Sequence, residues 1–339
     1  MKAYIRLTAG LAAIGALTFS IYAVRSQVSA APDYPNASIN AQSPTVVIEI
    51  PSGATGSQVG QILFENGVTE SALSYFRAAV ANTKSAQVAP GAHLLNLKIS
   101  AKQALLQLLD SNRIPNLIKV FEGAWKSEVK TSLIRYGFSA IEVDRAFSNV
   151  ELPKGFSDVE GLLFPAQYTF AKGTSALEAV QEMIDRFKAE VSGQNLLAAS
   201  GKYSPQQLLV IASIVQAEGD SKDFSKVSRV VRNRLEIGMP LQLDSTVHYI
   251  KKVRGQIFLS TDSTLIKSAY NTYRKYGLPP TPIGNPGSAA IEGALNPSSG
   301  DWLFFITVAP GDTRFTRSND EFLQWKALYA KNRKAGAFN

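Results

Sequence analysis

The chain has 339 residues, 45% of them hydrophobic and 18% charged. That suggests about two domains at ~150 residues each and excludes a wholly disordered polymer. With no cysteine and only His93 and His248 as histidines, disulfides, thiolate chemistry and multi-histidine metal sites are excluded, and no cofactor or metal is expected. The formal charge of +8 favours an anionic partner: nucleic acid, an anionic lipid surface or an anionic polymer.

Residues 7–24 form an uncharged, mostly apolar run, with Lys2 and Arg6 before it and Arg25 after it. The run reaches the ~20 residues that a membrane-crossing helix needs. A signal peptide cut near Ala30-Ala31 is the alternative. The basic amino end keeps Met1 in the cytoplasm and exports the rest. The expectation is a single-pass plasma-membrane protein with its bulk outside. The first 25 residues hold three positive charges and no acid, so taking three from +8 leaves +5 for the exported part. Export makes nucleic acid a poor partner. Residues 26–44 are rich in Ser, Ala, Asn and Pro and read as a flexible tether.

Residues 47–68 and 117–138 align without gaps at an offset of 70, with seven identities. These include Gly53/Gly123, Ala54/Ala124, Val59/Val129, Leu63/Leu133 and Gly67/Gly137. Each copy reads as a strand, a turn at Gly, and a helix ended by a second Gly. Helices near 71–83 and 101–109 and a returning strand complete the first copy. This order resembles a LysM-like module, a type that binds glycan in shallow grooves; a plain spacer is equally open. Ser127 and Lys130 match an S-x-x-K pattern, but no S-D-N or K-T-G follows, so the match is rejected.

Ser204-Pro205 opens a helix as N-cap and first helical residue. Its apolar stripe runs Leu208, Ile211, Ala212, Val215. The next position on that stripe is Glu218. Apolar neighbours and a helix carboxyl end would both keep its carboxyl protonated, ready to donate. Gly219 would end the helix and leave room beside the carboxyl. A frayed, solvated Glu is the alternative. A second helix runs from Phe224 through Val227, Val230 and Val231 to Leu235, stopping at Gly238. Asp244 is either a cap for a short helix or a site residue. His248 reads as a packed or exposed residue. Residues 270–287 hold four prolines and three glycines and read as a rigid loop. Its polar and aromatic start suits sugar rings and hydroxyls. A strand at 302–308, a turn, a strand at 313–316 and a helix at about 319–334 close the chain.

Together, Glu160 to Pro165 (EGLLFP), Ala212 to Glu218 (ASIVQAE), Asn233-Arg-Leu235, Gly238 to Thr246 (GMPLQLDST) and residues 270–287 strongly resemble the endolytic murein transglycosylase, or YceG-like, family. The resemblance covers residues 45–339 and the anchor. It implies an α+β chain: anchor 1–25, tether 26–44, LysM-like repeat module 45–150 and a mixed α+β catalytic domain 151–339. It implies cleavage of the MurNAc–GlcNAc bond within nascent peptidoglycan strands, leaving 1,6-anhydro-MurNAc ends and terminating elongation beside synthases of the penicillin-binding class. By position, Glu218 matches the family's catalytic glutamate. Many members carry a second Glu where this chain has Gln216, which leaves Glu218 the sole carboxylate of this stretch. A lytic transglycosylase needs only one, because the C6 hydroxyl of MurNAc is the nucleophile, whereas an ordinary glycosidase needs two. Gln216, Asn233, Gln242, Asp244, Thr246, Tyr249, Tyr270, Asn271, Tyr273 and Asn285 are the candidates to hold the glycan. The rivals are a hydrolase pairing Glu218 with Asp244 or Glu160, a non-catalytic glycan scaffold, and, most weakly, a DNA-binding protein.

Overall fold

The computed structural model describes residues 31–40, 42–115, 117–254 and 260–338. The apolar run at 7–24 lies outside them. Among the described residues no helix is long and apolar enough to cross a membrane. The fold is α+β, with antiparallel two-stranded sheets. It divides into two compact units: residues up to Leu117 together with Thr169–Gly173, and Ile118–Tyr168 together with residues from Thr174 on. The division falls between the two repeat copies, so the second copy belongs with the C-terminal unit.

The first unit runs β1 (Thr45–Ile50), α1 (Gly56–Glu65), α2 (Ala72–Val80), β2 (Gly91–Asn96) and α3 (Ala101–Leu108). β1 and β2 pair antiparallel from Thr45↔Asn96 to Ile50↔Gly91. Ile48, Ile50, Val59, Leu63, Tyr75 and Leu105 close its core. Capping boxes at Thr55/Gln58 and Ser100/Gln103 start α1 and α3. Part of the expected tether is fastened to α3. Ala101 N donates to Asp33 Oδ1 at 2.8 Å, and Ala37 exchanges two backbone bonds with the Gln103 amide. The short polar side chains that read as linker are here spent on a helix amino end.

The second unit opens with the same order: β3 (Ile118–Lys119), α4 (Lys126–Tyr136), α5 (Ala140–Asn149), β4 (Gln167–Tyr168) and α6 (Ala176–Ala189). β3 and β4 pair antiparallel. The shared residues do the same physical work in both copies. Val59 and Val129, and Leu63 and Leu133, are buried. Gly53 and Gly123 take φ of 71° and 76°, the left-handed turn that favours glycine.

The rest of the unit is α7 (Val191–Leu197), α8 (Pro205–Glu218), α9 (Phe224–Glu236), α10 (Asp244–Lys251), α11 (Thr261–Thr264), α12 (Ser288–Leu295), β5 (Phe304–Ala309), β6 (Asp312–Thr316) and α13 (Asn319–Lys334). α8 is enclosed by α7, α9, α10 and α12. Every residue from Leu208 to Val215 is buried, so the helix is covered all round rather than along the one stripe its spacing suggests. Ser204 caps it as expected, in a capping box with Gln207.

Candidate active site

Glu218 is the last residue of α8. Part of its surface meets solvent, but its carboxyl is densely surrounded by protein. That desolvation raises its pKa; the Asp244 charge adds to the rise, while hydrogen bonding from Ser245 and the Arg234 charge oppose it. Oε1 accepts from the backbone N–H of Ser245, in the first turn of α10, at 3.2 Å. Gly219 does not open space beside the carboxyl. Its backbone is extended, and an added Cβ would lie 3.1 Å from Val227 Cγ2 and 3.4 Å from the Phe224 ring. The glycine lets the chain turn tightly against α9.

Asp244 does not act as the N-cap. It is the first residue of α10, after Leu243, and its Oδ1 accepts from the Tyr273 hydroxyl. Thr272 supports the same turn: its Oγ1 accepts from Leu243 N at 2.9 Å and its carbonyl from Gln242 N at 3.2 Å. Gln242 is exposed and held at φ 47°. The loop from Tyr270 thus positions the amino end of α10, and that end receives Glu218. Of the candidates named from sequence, Glu218, Asp244 and Tyr273 come together.

Apart from the exposed Gln242, each of the others has at least one side-chain polar atom bonded to protein. Asn285 is fully buried; its Oδ1 accepts from Gly161 N and Leu163 N, and its Nδ2 donates to Ala124 O at 2.7 Å. Asn271 donates to the carbonyls of Thr264 and Ile266. Thr246 is buried and bonds Leu243 O and Thr272 Oγ1. Asn233 Nδ2 donates to Trp302 O at 2.9 Å and Gly300 O at 3.2 Å, tying α9 to the approach of β5. Tyr270 pairs with Thr281 at 2.6 Å. Gln216 Oε1 accepts from Gly287 N, at the amino end of α12. Tyr249 donates to Glu160 Oε2 at 2.8 Å.

Glu160 is itself fully buried. Its Oε1 accepts from Lys126 N at 2.8 Å. Burial pushes its carboxyl up to about 7, against the pull of Tyr249 and Lys126. These partners make it an anchor for the EGLLFP turn. Gly161 follows at φ 92°, where a Cβ would strike Pro282 and Leu209.

Two residues beside Glu218 escaped the sequence reading. Arg234 is buried; its Nε donates to Leu303 O at 2.6 Å and its Nη1 to Leu241 O. Burial lowers its pKa, and the Glu218 charge works the other way. Ser245 supplies the backbone donor. A pocket of about 260 Å3 adjoins this end of α8, with Gln216, Ala217, Ser245 and His248 on its wall. His248 Nε2 and Ser245 Oγ are buried there without a hydrogen-bond partner among the described residues. Among those residues no cluster of metal-ligand type occurs.

The family model for YceG-like proteins matches residues 48–327. The endolytic murein transglycosylase of Bacillus subtilis is 32% identical over 294 residues, covering 85% of this chain and 71% of that protein. The endolytic murein transglycosylase of Streptococcus pneumoniae D39 is 32% identical over 169 residues, covering 48% of this chain and 31% of that longer protein. A crystal structure of a yceG-like protein from Listeria monocytogenes aligns with a TM-score of 0.55 at 25% identity, over 84% of this chain and 99% of that one. The match runs through both compact units, the repeat and the turn that holds Glu218: this chain belongs to the YceG-like family.

Proposed function

We propose that this chain is an endolytic peptidoglycan lytic transglycosylase that cuts the MurNAc–GlcNAc bond inside nascent strands. The observation that carries the reading is the Glu218 carboxyl, which desolvation holds toward its protonated form at the end of α8. Glu218 protonates the glycosidic oxygen as the C1–O bond breaks. Its carboxylate then takes the proton of the MurNAc C6 hydroxyl, whose oxygen bonds to C1. The acid is regenerated, no water is consumed, and a 1,6-anhydro end results. Asp244, which accepts from the Tyr273 hydroxyl, stands beside the acid and adds to the rise of its pKa.

In this reading residues 7–24 anchor the chain, with its bulk outside the plasma membrane and peptidoglycan synthases as neighbours. The apolar run supports that placement. The β1-α1-α2-β2 order supports a LysM-like role for the first unit in holding glycan. Cutting beside a synthase would end strand elongation.

The test is product mass on defined glycan strands. Wild type releases anhydro-muropeptides and Glu218→Gln releases none. Wild-type turnover in the variant overturns the assignment. Asp244 beside Glu218 favours one second reading, hydrolysis by two carboxylates. Hydrolysis gives products heavier by one water.

A further inference from the structure

A second cleft, of about 850 Å3, opens in the same unit between α4, with the turn before it, and the residues after α10. It shares Glu122, Trp125 and Arg254 with the small pocket beside α8, so the two adjoin. Its floor is apolar: Val120, Trp125 and Val129 are buried there, and Phe121 stands 70% exposed at its edge.

Its rim is cationic. Lys119, Arg135, Lys252 and Arg254 face two acids, Glu122 and Glu128. Arg254 is committed: it donates to both Glu128 oxygens at 2.7 Å and lies 4.0 Å over the Trp125 ring. Lys119, Arg135 and Lys252 make no ion pair among the described residues. Lys252 lies 3.6 Å over the Tyr249 ring, which fixes its ammonium at the cleft wall.

Sugar sites present amides that both donate and accept. No Asn or Gln lines this cleft. Two of its hydroxyls, on Thr131 and Ser132, are spent on carbonyls one turn back, at 3.0 Å each. Beside the Glu122 carboxylate and the Ser127 hydroxyl, what the cleft offers a ligand is three cations without an ion pair among the described residues, Lys119, Arg135 and Lys252, around an apolar floor. That suits an extended group with several carboxylates and small alkyl side chains. On a peptidoglycan strand the group of that description is the acidic peptide borne by the lactyl ether.

We propose that this cleft grips the acidic peptide of the strand while the adjoining pocket takes the glycan beside Glu218. The proposal rests on the peptidoglycan reading above. It makes the enzyme selective for peptide-bearing strands over stripped ones.

The test measures affinity rather than turnover. Glu218→Gln protein, with and without Lys119→Gln plus Arg135→Gln, is titrated with peptide-bearing glycan strands and with the same strands stripped by an amidase. Both lysine and arginine positions are exposed. The expected result is tighter binding of peptide-bearing strands, weakened about fivefold by the charge pair, from two exposed ion pairs. Binding of stripped strands is unchanged. Molar salt brings the unmodified charge set down to the level of the charge variant. Lys252→Gln, made alone, gives the same selective loss should the double variant not fold. Equal affinity for the two strand types, or equal loss on both, overturns the proposal. Failure of the peptidoglycan activity itself shows separately, as a wild type that prefers peptide-bearing strands yet releases no anhydro product.

Discussion

Glu218 and Arg234 stand at the same kind of position, the next step of an apolar stripe. Glu218 follows Ile211 and Val215 on α8; Arg234 follows Val227, Val230 and Val231 on α9. The rule that singled out Glu218 thus held the signal for Arg234 as well. A charge that interrupts a buried stripe needs a partner, and here each moderates the other. Asp244 acts on Glu218 in the opposite sense. Its negative charge disfavours a second one nearby and raises the Glu218 pKa. Asp244→Asn removes that charge, so Glu218 ionises at lower pH. A general acid works only while protonated. The alkaline limb of the kcat/KM profile therefore moves to lower pH in Asp244→Asn, and an unmoved limb would remove Asp244 from this role. Glu160 gives a pH effect on stability instead. Its folded carboxyl, near 7, binds a proton more tightly than the ordinary 4.5 of a free one. Its contribution is whole below about 4.5 and is lost as pH rises through about 7. Glu160→Gln keeps an acceptor for Lys126 N and flattens that part of the stability slope. Melting temperatures across pH 4 to 8 check it.

At the scale of elements, the helices were legible and the loop chemistry was not. Capping signals placed the start of α8, and periodicity placed α9 and α13 within a residue or two. These depend on residues three and four apart, which one sequence displays. The loop over residues 270–287 was legible as non-helical. What its polar side chains touch was not, because their partners lie far along the chain. Asn285 reaches back to Ala124, Gly161 and Leu163. Asn271 closes its own loop on Thr264 and Ile266. Polarity in a stretch reports a need for hydrogen bonds and leaves open who satisfies it. A buried amide joining two loops is costly to remove, since its former partners stay buried. Asn285→Ala strands two backbone donors and one acceptor. It is expected to cost about 2–4 kcal/mol in chemical denaturation. It is also expected to loosen the turn that carries Glu160. Loss of less than half a kcal/mol, on the order of an exposed substitution, would show that water replaces the amide.

Across the whole molecule, the repeat is where sequence and structure agree in detail, and it also exposes what sequence left unresolved. Identities at Val59/Val129 and Leu63/Leu133 become equivalent buried positions in two copies of one strand–helix–helix–strand pattern. The division into units is set by contacts instead. The second copy falls in the same compact unit as the helix that ends at Glu218, and a five-residue segment, Thr169–Gly173, returns to the first unit. There an added Cβ on Gly91 would meet Thr169 Oγ1 at 2.6 Å, and Lys172 N donates to Glu49 Oε1 at 2.7 Å. Contacts between residues so distant in sequence leave no local pattern. The consequence is testable with one pair of substitutions. Leu63 and Leu133 are alike in chemistry, repeat position and complete burial. Each Leu→Ala change should cost about 2–5 kcal/mol through lost transfer energy and the cavity left behind. Because each leucine belongs to a separate core, Leu63→Ala should lower one calorimetric transition and Leu133→Ala the other. Activity on glycan strands near the lower transition should then follow Leu133→Ala, which weakens the unit that holds Glu218. A single transition moved equally by both changes would mean that the two units unfold as one.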